Sequence, residues 1–276
     1  MRIKIWLVRL TLISMIGVAN AEQQFVAPKG QNSSSLEIAN ELRLNKNPKS
    51  SIYEIKSTSN NFYKKNDLGK LIPEFRDGKK YFKVSDGSQS FKRYIDSGKT
   101  ALIVMDPWED SGSSILNNHF EPIIKEKLIP LINKSIALDI PVIALTNAPS
   151  NDVDYSHKVH SEIEQLAKLN KVRIFYHQSY DSSRFSEWLR SMSIDTLIYS
   201  GFASNICVIG RNLGMIEMQR KGFKLFFVPE ASAAVEFEES WNTGQLHRST
   251  TILISQSYGE LIALDDFLSI AKSMPN

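Results

Sequence analysis

The chain has 276 residues, with 33 Lys+Arg against 30 Asp+Glu and 42% hydrophobic residues, an ordinary globular composition. Its formal net charge of +3 comes from Arg2, Lys4 and Arg9, since no acid precedes Glu22, so the remainder is balanced and offers no net-positive surface for nucleic acid. A single cysteine, Cys207, excludes an intramolecular disulfide scaffold, and the chain is long enough to bury a full core without one.

Residues 1–9 (MRIKIWLVR) are basic, residues 10–18 (LTLISMIGV) are apolar, and Ala19-Asn20-Ala21 places small residues at the −3 and −1 positions of a cleavage site. This pattern predicts a secretory signal peptide over 1–21. The apolar run falls well short of the roughly 20 residues that cross a bilayer as a helix, so no stable membrane anchor is expected after cleavage. The mature chain is predicted to begin at Glu22 and to be exported, either periplasmic or secreted.

Residues 22–98 are rich in Ser, Asn, Lys and Gly, with scattered apolar positions such as Tyr53, Ile55, Phe62, Leu71, Phe75 and Phe82. Gln31-Asn32-Ser33-Ser34-Ser35 reads as flexible linker. With no sustained helix or strand period, the segment is expected to be a partly ordered N-terminal extension lying on a main domain over 99–276.

From Thr100 onward, short apolar runs alternate with longer amphipathic segments. The runs are 101–105 (ALIVM), 141–146 (PVIALT), 172–176 (VRIFY), 196–200 (TLIYS), 224–228 (KLFFV) and 251–254 (TILI). Such runs read as strands buried on both faces. Helices are predicted between and after them at about 119–138, 157–169, 183–193, 206–221 and 240–249, with a terminal helix over 259–273. A helix after each of the first five strands predicts an α/β fold with a doubly wound, mostly parallel sheet.

Ligands bind such sheets at the carboxyl ends of the strands, where loop amides and helix N-termini converge. Asp106 directly follows the first strand, His177 the third, and Cys207 stands at the start of the helix after the fourth. A thiol there can be held as a thiolate, the form that attacks carbonyl carbon. Asp106 is placed to act as the base and His177 as a cation or a second base. Each residue also has an ordinary reading. A lone helical cysteine is commonly a small buried hydrophobe, an aspartate after a strand can be a helix cap, and a strand-end histidine can simply bond a neighbouring loop.

These residues resemble the isochorismatase-like cysteine hydrolases, a superfamily that includes nicotinamidases, N-carbamoylsarcosine amidases and isochorismatases. The resemblance covers roughly residues 100–270. Residues 100–106 (TALIVMD) are similar to the family's first strand and catalytic aspartate, and 194–208 (IDTLIYSGFASNICV) to the strand, turn and nucleophile-bearing helix start. Residues 221–231 (KGFKLFFVPEA) are similar to the strand that follows. The resemblance implies a three-layer α/β sandwich, Asp106 as general base and Cys207 as nucleophile. It also implies a non-proline cis peptide at Phe202-Ala203 that aims the amides of Ala203 and Cys207 at an oxyanion.

Where the family carries a catalytic lysine, three residues before a Tyr-Asp pair, this chain has His177 before Tyr180-Asp181. Histidine is about half charged near pH 6.5, unlike lysine. Three outcomes stay open: His177 substitutes as a donor to the thiolate, it changes the chemistry, or turnover is lost.

Trp108 and Phe202, with Glu109, are candidate walls of the substrate pocket. Asp152, Asp154, His157 and His160 lack the family's Asp-x-His spacing, although His157 and His160 could share a helix face, so no metal and no cofactor are expected. The implied activity is hydrolysis of a non-peptide C–N bond in a small amide- or ureide-like substrate, through a thioester on Cys207. The alternatives are an isochorismatase-type vinyl ether hydrolase and a non-catalytic protein that binds a small molecule or a partner on the same fold. A homo-oligomer is compatible with the resemblance.

Overall fold

The computed structural model describes residues 50–59, 71–76, 79–84, 89–148, 157–177 and 180–271. The predicted signal peptide, the 31–35 linker, Asp152 and Asp154 lie outside these residues. Among the described residues no helix is long and apolar enough to cross a membrane.

Twelve strands are described. They are β1 (Ile52–Ser59), β2 (Leu71–Arg76), β3 (Lys79–Val84), β4 (Gln89–Asp96), β5 (Thr100–Met105), β6 (Trp108–Asp110), β7 (Val142–Thr146), β8 (Lys158–Val159), β9 (Val172–Tyr176), β10 (Thr196–Phe202), β11 (Lys224–Ala233) and β12 (Glu260–Leu261). Eight of them form one sheet in the order β4-β1-β12-β11-β10-β5-β7-β9. The run from β12 to β9 is parallel throughout, and β1 and β4 are antiparallel additions at one edge. The doubly wound, mostly parallel α/β reading therefore holds.

Every residue of β5, β7 and β10 is buried, as strands covered on both faces require. One face is covered by α1 (Ser114–Ile123), a π-helical segment (Ile124–Leu128) and α2 (Ile129–Ala137). Their Phe120, Ile124, Leu128, Leu131 and Ile132 share a core with Leu102, Val104, Ala144 and Ile198 of the sheet. Pro122 and Pro130 cannot donate backbone hydrogen bonds, and the helix widens to π geometry in the stretch between them. The remaining helices are α3 (Ser161–Lys168), α4 (Ser182–Ser191), α5 (Met215–Arg220), α6 (Gln245–Ser257) and α7 (Leu264–Leu268).

Four sequence readings need correction. The apolar run 251–254 is not a strand but part of α6, where Ile254 faces the core while Ile252 and Leu253 are exposed. The sixth parallel strand is instead the two-residue β12. The helix expected over 206–221 is broken into a π turn (Ser204–Val208) and α5, separated by a bend at Gly214, where a Cβ would lie 2.9 Å from the Val208 carbonyl oxygen. The terminal helix expected over 259–273 shrinks to α7.

The largest correction concerns the N-terminal extension. β1 and β4 pair along their full length and belong to the main sheet, with Thr58 opposite Leu261. Tyr53, Ile55, Ser57 and Ser59 alternate inward along β1. That period of two is hidden in the sequence because half of its inward positions are serines.

Candidate active site

The carboxyl ends of β5, β7, β9 and β10 meet at one rim of the sheet. Asp106 ends β5 in a left-handed conformation (φ 43°), which aspartate tolerates better than most residues with a side chain. Its amide donates to the Leu145 carbonyl at 2.8 Å, and its carbonyl accepts from Trp108 N at 2.9 Å, so the chain turns tightly and the carboxylate is fully buried. His177 follows β9 and places Nε2 3.3 Å from Asp106 Oδ1. Asn212 donates from Nδ2 to the Tyr180 carbonyl at 2.9 Å and to the His177 carbonyl at 3.3 Å. Asp181 caps α4 by accepting from Arg184 N at 2.8 Å.

Cys207 lies in the π turn after β10. The peptide bond Phe202-Ala203 is cis, and Ala203, in extended conformation, leads into the turn. The turn is held from behind. Ser204 Oγ lies 2.9 Å from His247 Nδ1, and His247 Nε2 lies 3.0 Å from the Pro229 carbonyl oxygen. This geometry sets a tautomer in which Nε2–H donates to Pro229 and Nδ1 accepts from Ser204. The Asn205 side chain bonds both backbone groups of Val235, each at 3.1 Å.

The Cys207 thiol interacts with Asp106 and with Arg211, a residue that sequence reasoning did not select. Burial, reinforced by the Asp106 charge, pushes the thiol up to about 11, and Arg211 opposes that rise. Arg211 Nη2 lies 3.2 Å from Asp106 Oδ2, and its Nη1 donates to Asn147 Oδ1 at 2.8 Å. Burial works against the guanidinium charge, but Asp106 and Cys207 together hold its pKa above the ordinary arginine value. One signal could have revealed it. Arg211 stands four residues after Cys207 and its amide bonds the Cys207 carbonyl at 3.2 Å, which is helical neighbour spacing.

The predicted pocket walls part company. Trp108 is half-buried at the rim, donating from Nε1 to Thr146 Oγ1 at 2.8 Å, with its ring 4.6 Å from that of His157. Phe202 faces the core, where its ring stacks on Phe120 with centroids 4.4 Å apart. Glu109 forms a surface ion pair with Lys158 at 3.3 Å.

His157 and His160 do not share a helix face. They flank β8, and His160 caps α3 while pairing with Glu121 at 3.4 Å. Among the described residues no cluster of three or more His, Cys, Asp or Glu side chains is arranged to hold a metal.

A family model described as the isochorismatase domain matches residues 100–255. Among solved structures, a cysteine hydrolase from Pseudomonas syringae pv. phaseolicola is similar, with TM-score 0.50 and 17% identity over 63% of this chain and 92% of that one. A nicotinamidase from Staphylococcus aureus has TM-score 0.45 and 18% identity over 59% of this chain and 96% of its own. An N-carbamoylsarcosine amidase from Thermoplasma acidophilum has TM-score 0.40 and 18% identity over 52% and 88%. No curated protein sequence matches significantly.

Proposed function

Because the chain belongs to the isochorismatase family, we propose that it is an exported cysteine hydrolase that cleaves a non-peptide C–N bond of a small amide- or ureide-like substrate. The observation that carries this reading is the meeting of a lone thiol with a fully buried carboxylate contributed by a separate strand end. A thiol held near 11 keeps its proton at neutral pH, so attack needs a nearby base, and Asp106, whose charge acts on the thiol, is that base. Its Oδ2 carries the Arg211 ion pair but has no hydrogen bond among the described residues, which leaves it able to receive a proton.

In this scheme the Cys207 proton passes to Asp106, and sulfur bonds to the substrate carbonyl carbon while the C=O electron pair moves onto oxygen. The amides of Ala203 and Cys207 hold that oxyanion. On collapse the C–N bond breaks and the amine departs with the proton from Asp106. Water, deprotonated by Asp106, then adds to the thioester carbonyl, the C–S bond breaks to release the acid, and Asp106 returns the proton to sulfur. His177 fixes the carboxylate through Oδ1, Trp108 borders the site, and the scheme calls for no cofactor. Export rests on the composition of residues 1–21.

The test is ammonia release across a panel of small amides and ureides, with intact-mass detection of an acyl adduct. Turnover with a Cys207 adduct, both absent in Cys207→Ala, is expected. Turnover that survives in Cys207→Ala would remove the covalent mechanism and favour vinyl ether-type hydrolysis. Saturable binding of a panel member with neither adduct nor turnover would favour the binding-protein reading.

A further inference from the structure

The buried carboxylate has two basic neighbours, and the surroundings of each decide which one carries charge. His177 is 4% exposed, and its Nδ1 is buried with no hydrogen-bond partner among the described residues. A protonated imidazole would bury a charged N–H donor with nothing to receive it, which is costly. A neutral ring with its proton on Nε2 donates to Asp106 and leaves only a bare acceptor at Nδ1. Asp106 is moreover already paired with Arg211, which is protonated at any working pH. A second cation on the same carboxylate would gain little.

We infer that Arg211, not His177, supplies the fixed positive charge of the nucleophile pair, and that His177 is a neutral donor that positions Asp106. The inference rests on the hydrolase reading for its catalytic meaning but not for its electrostatics. Arg211 pairs with Asp106, acts electrostatically on the Cys207 thiol, and is anchored from its other arm by Asn147. When the thiol proton moves to Asp106, the negative charge moves from carboxylate to sulfur while the guanidinium keeps its own proton and its charge. The total charge of the buried site is unchanged by the transfer, and the fixed guanidinium charge needs no new cation brought in to meet the thiolate. This also explains how a chain without a lysine after its third parallel strand can retain a cation at the thiolate.

The test uses iodoacetamide, a neutral thiol reagent, on the full chain at pH 9, with adduct formation followed by intact mass and Cys207→Ser as blank. Arg211→Met is expected to slow alkylation about tenfold, a rise of about one pKa unit, and Arg211→Lys to stay within about threefold of wild type. In 15N-histidine spectra of wild type at pH 7, the His177 signals, assigned by their loss in His177→Gln, are expected to be those of a neutral ring protonated at Nε2. Alkylation of a folded Arg211→Met at the wild-type rate, or an imidazolium pattern for His177, overturns the inference. If Arg211→Met does not fold, the histidine spectrum and Arg211→Lys decide. Slowed alkylation in Arg211→Met together with no turnover by wild type on any amide leaves Arg211 as the cation and removes the hydrolase reading instead.

Discussion

Asp106 and His177 lie 71 residues apart in the chain, yet His177 Nε2 stands 3.3 Å from Asp106 Oδ1 at the rim of the sheet. The parallel register produces this contact. β5 and β9 both flank β7 in parallel, so their carboxyl ends open on the same side and each delivers its next residue to one spot.

The Asp106 charge raises the thiol, and the proposed mechanism has Asp106 take the thiol proton, so removing that charge separates two readouts. Asp106→Asn keeps the shape and is expected to lower turnover about a thousandfold by deleting the base. The same change removes a charge that disfavours the thiolate and leaves Arg211 to pair with sulfur alone. Iodoacetamide at pH 8 is therefore expected to alkylate this variant about tenfold faster than wild type. An unchanged alkylation rate would contradict the coupling of the Asp106 charge to the Cys207 thiol.

Tyr53, Ile55 and Ile95 of the antiparallel β1–β4 pair are buried in the same core as the central strands. Each such side chain contributes roughly 1.5–3 kcal/mol on burial, and together they approach the whole stability of a typical domain. A chain starting at residue 99 is therefore expected to aggregate or to show no cooperative unfolding transition by circular dichroism. A soluble, cooperatively melting fragment would mean the β1–β4 pair is dispensable.

Gly201 has φ 108°, and a Cβ on it would lie 2.2 Å from the carbonyl oxygen of Met105, immediately before Asp106. No side-chain rotamer relieves a clash with backbone. Gly201→Ala is expected to cost about 3 kcal/mol or more, read as a lowered urea midpoint. An unchanged midpoint would show that β10 can move away from β5.

Burial lowers the pKa of His247, which is neutral where it receives the Ser204 hydroxyl. A histidine depressed in the folded state contributes stability in full above its ordinary value near 6.5 and loses it as pH falls through the depressed value. Burial lowers His119 and His157 in the same direction. Urea midpoints should thus drop between pH 7.5 and 5.5, and His247→Gln should be less stable at pH 7.5 yet show a smaller drop. An equal drop in the variant would place the acid sensitivity elsewhere.

The central half of the architecture was legible because strands buried on both faces leave unbroken apolar runs, and 172–176 is a strand at its expected bounds. Asp106 and His177 meet as their places directly after two such runs suggested, and Cys207 lies in the turn after a third. The edge was not. β12 is two residues long and carries no pattern, while the TILI run that imitates a strand lies on a helix entered from Gly244 in a left-handed conformation. Arg211 was missed because the helix expected over 206–221 breaks, and arginine one turn beyond a cysteine reads equally well as a solvated face. Phe202 was read as a wall because of its place beside the turn, whereas side chains alternate along β10 and its ring falls on the core side.

β12 lies between β1 and β11, and the Ser57 hydroxyl bonds the Glu260 carboxylate across 203 positions. Residues 52–59 therefore have no seat in the sheet until residue 261 has been synthesised. During translation the β1–β4 pair must wait with one edge open, and closure of the sheet is a late event of long loop entropy. A ribosome stalled a few residues before Glu260 would display a chain whose site-bearing strands β5, β7, β9 and β10 are all present and whose first strand is still unattached.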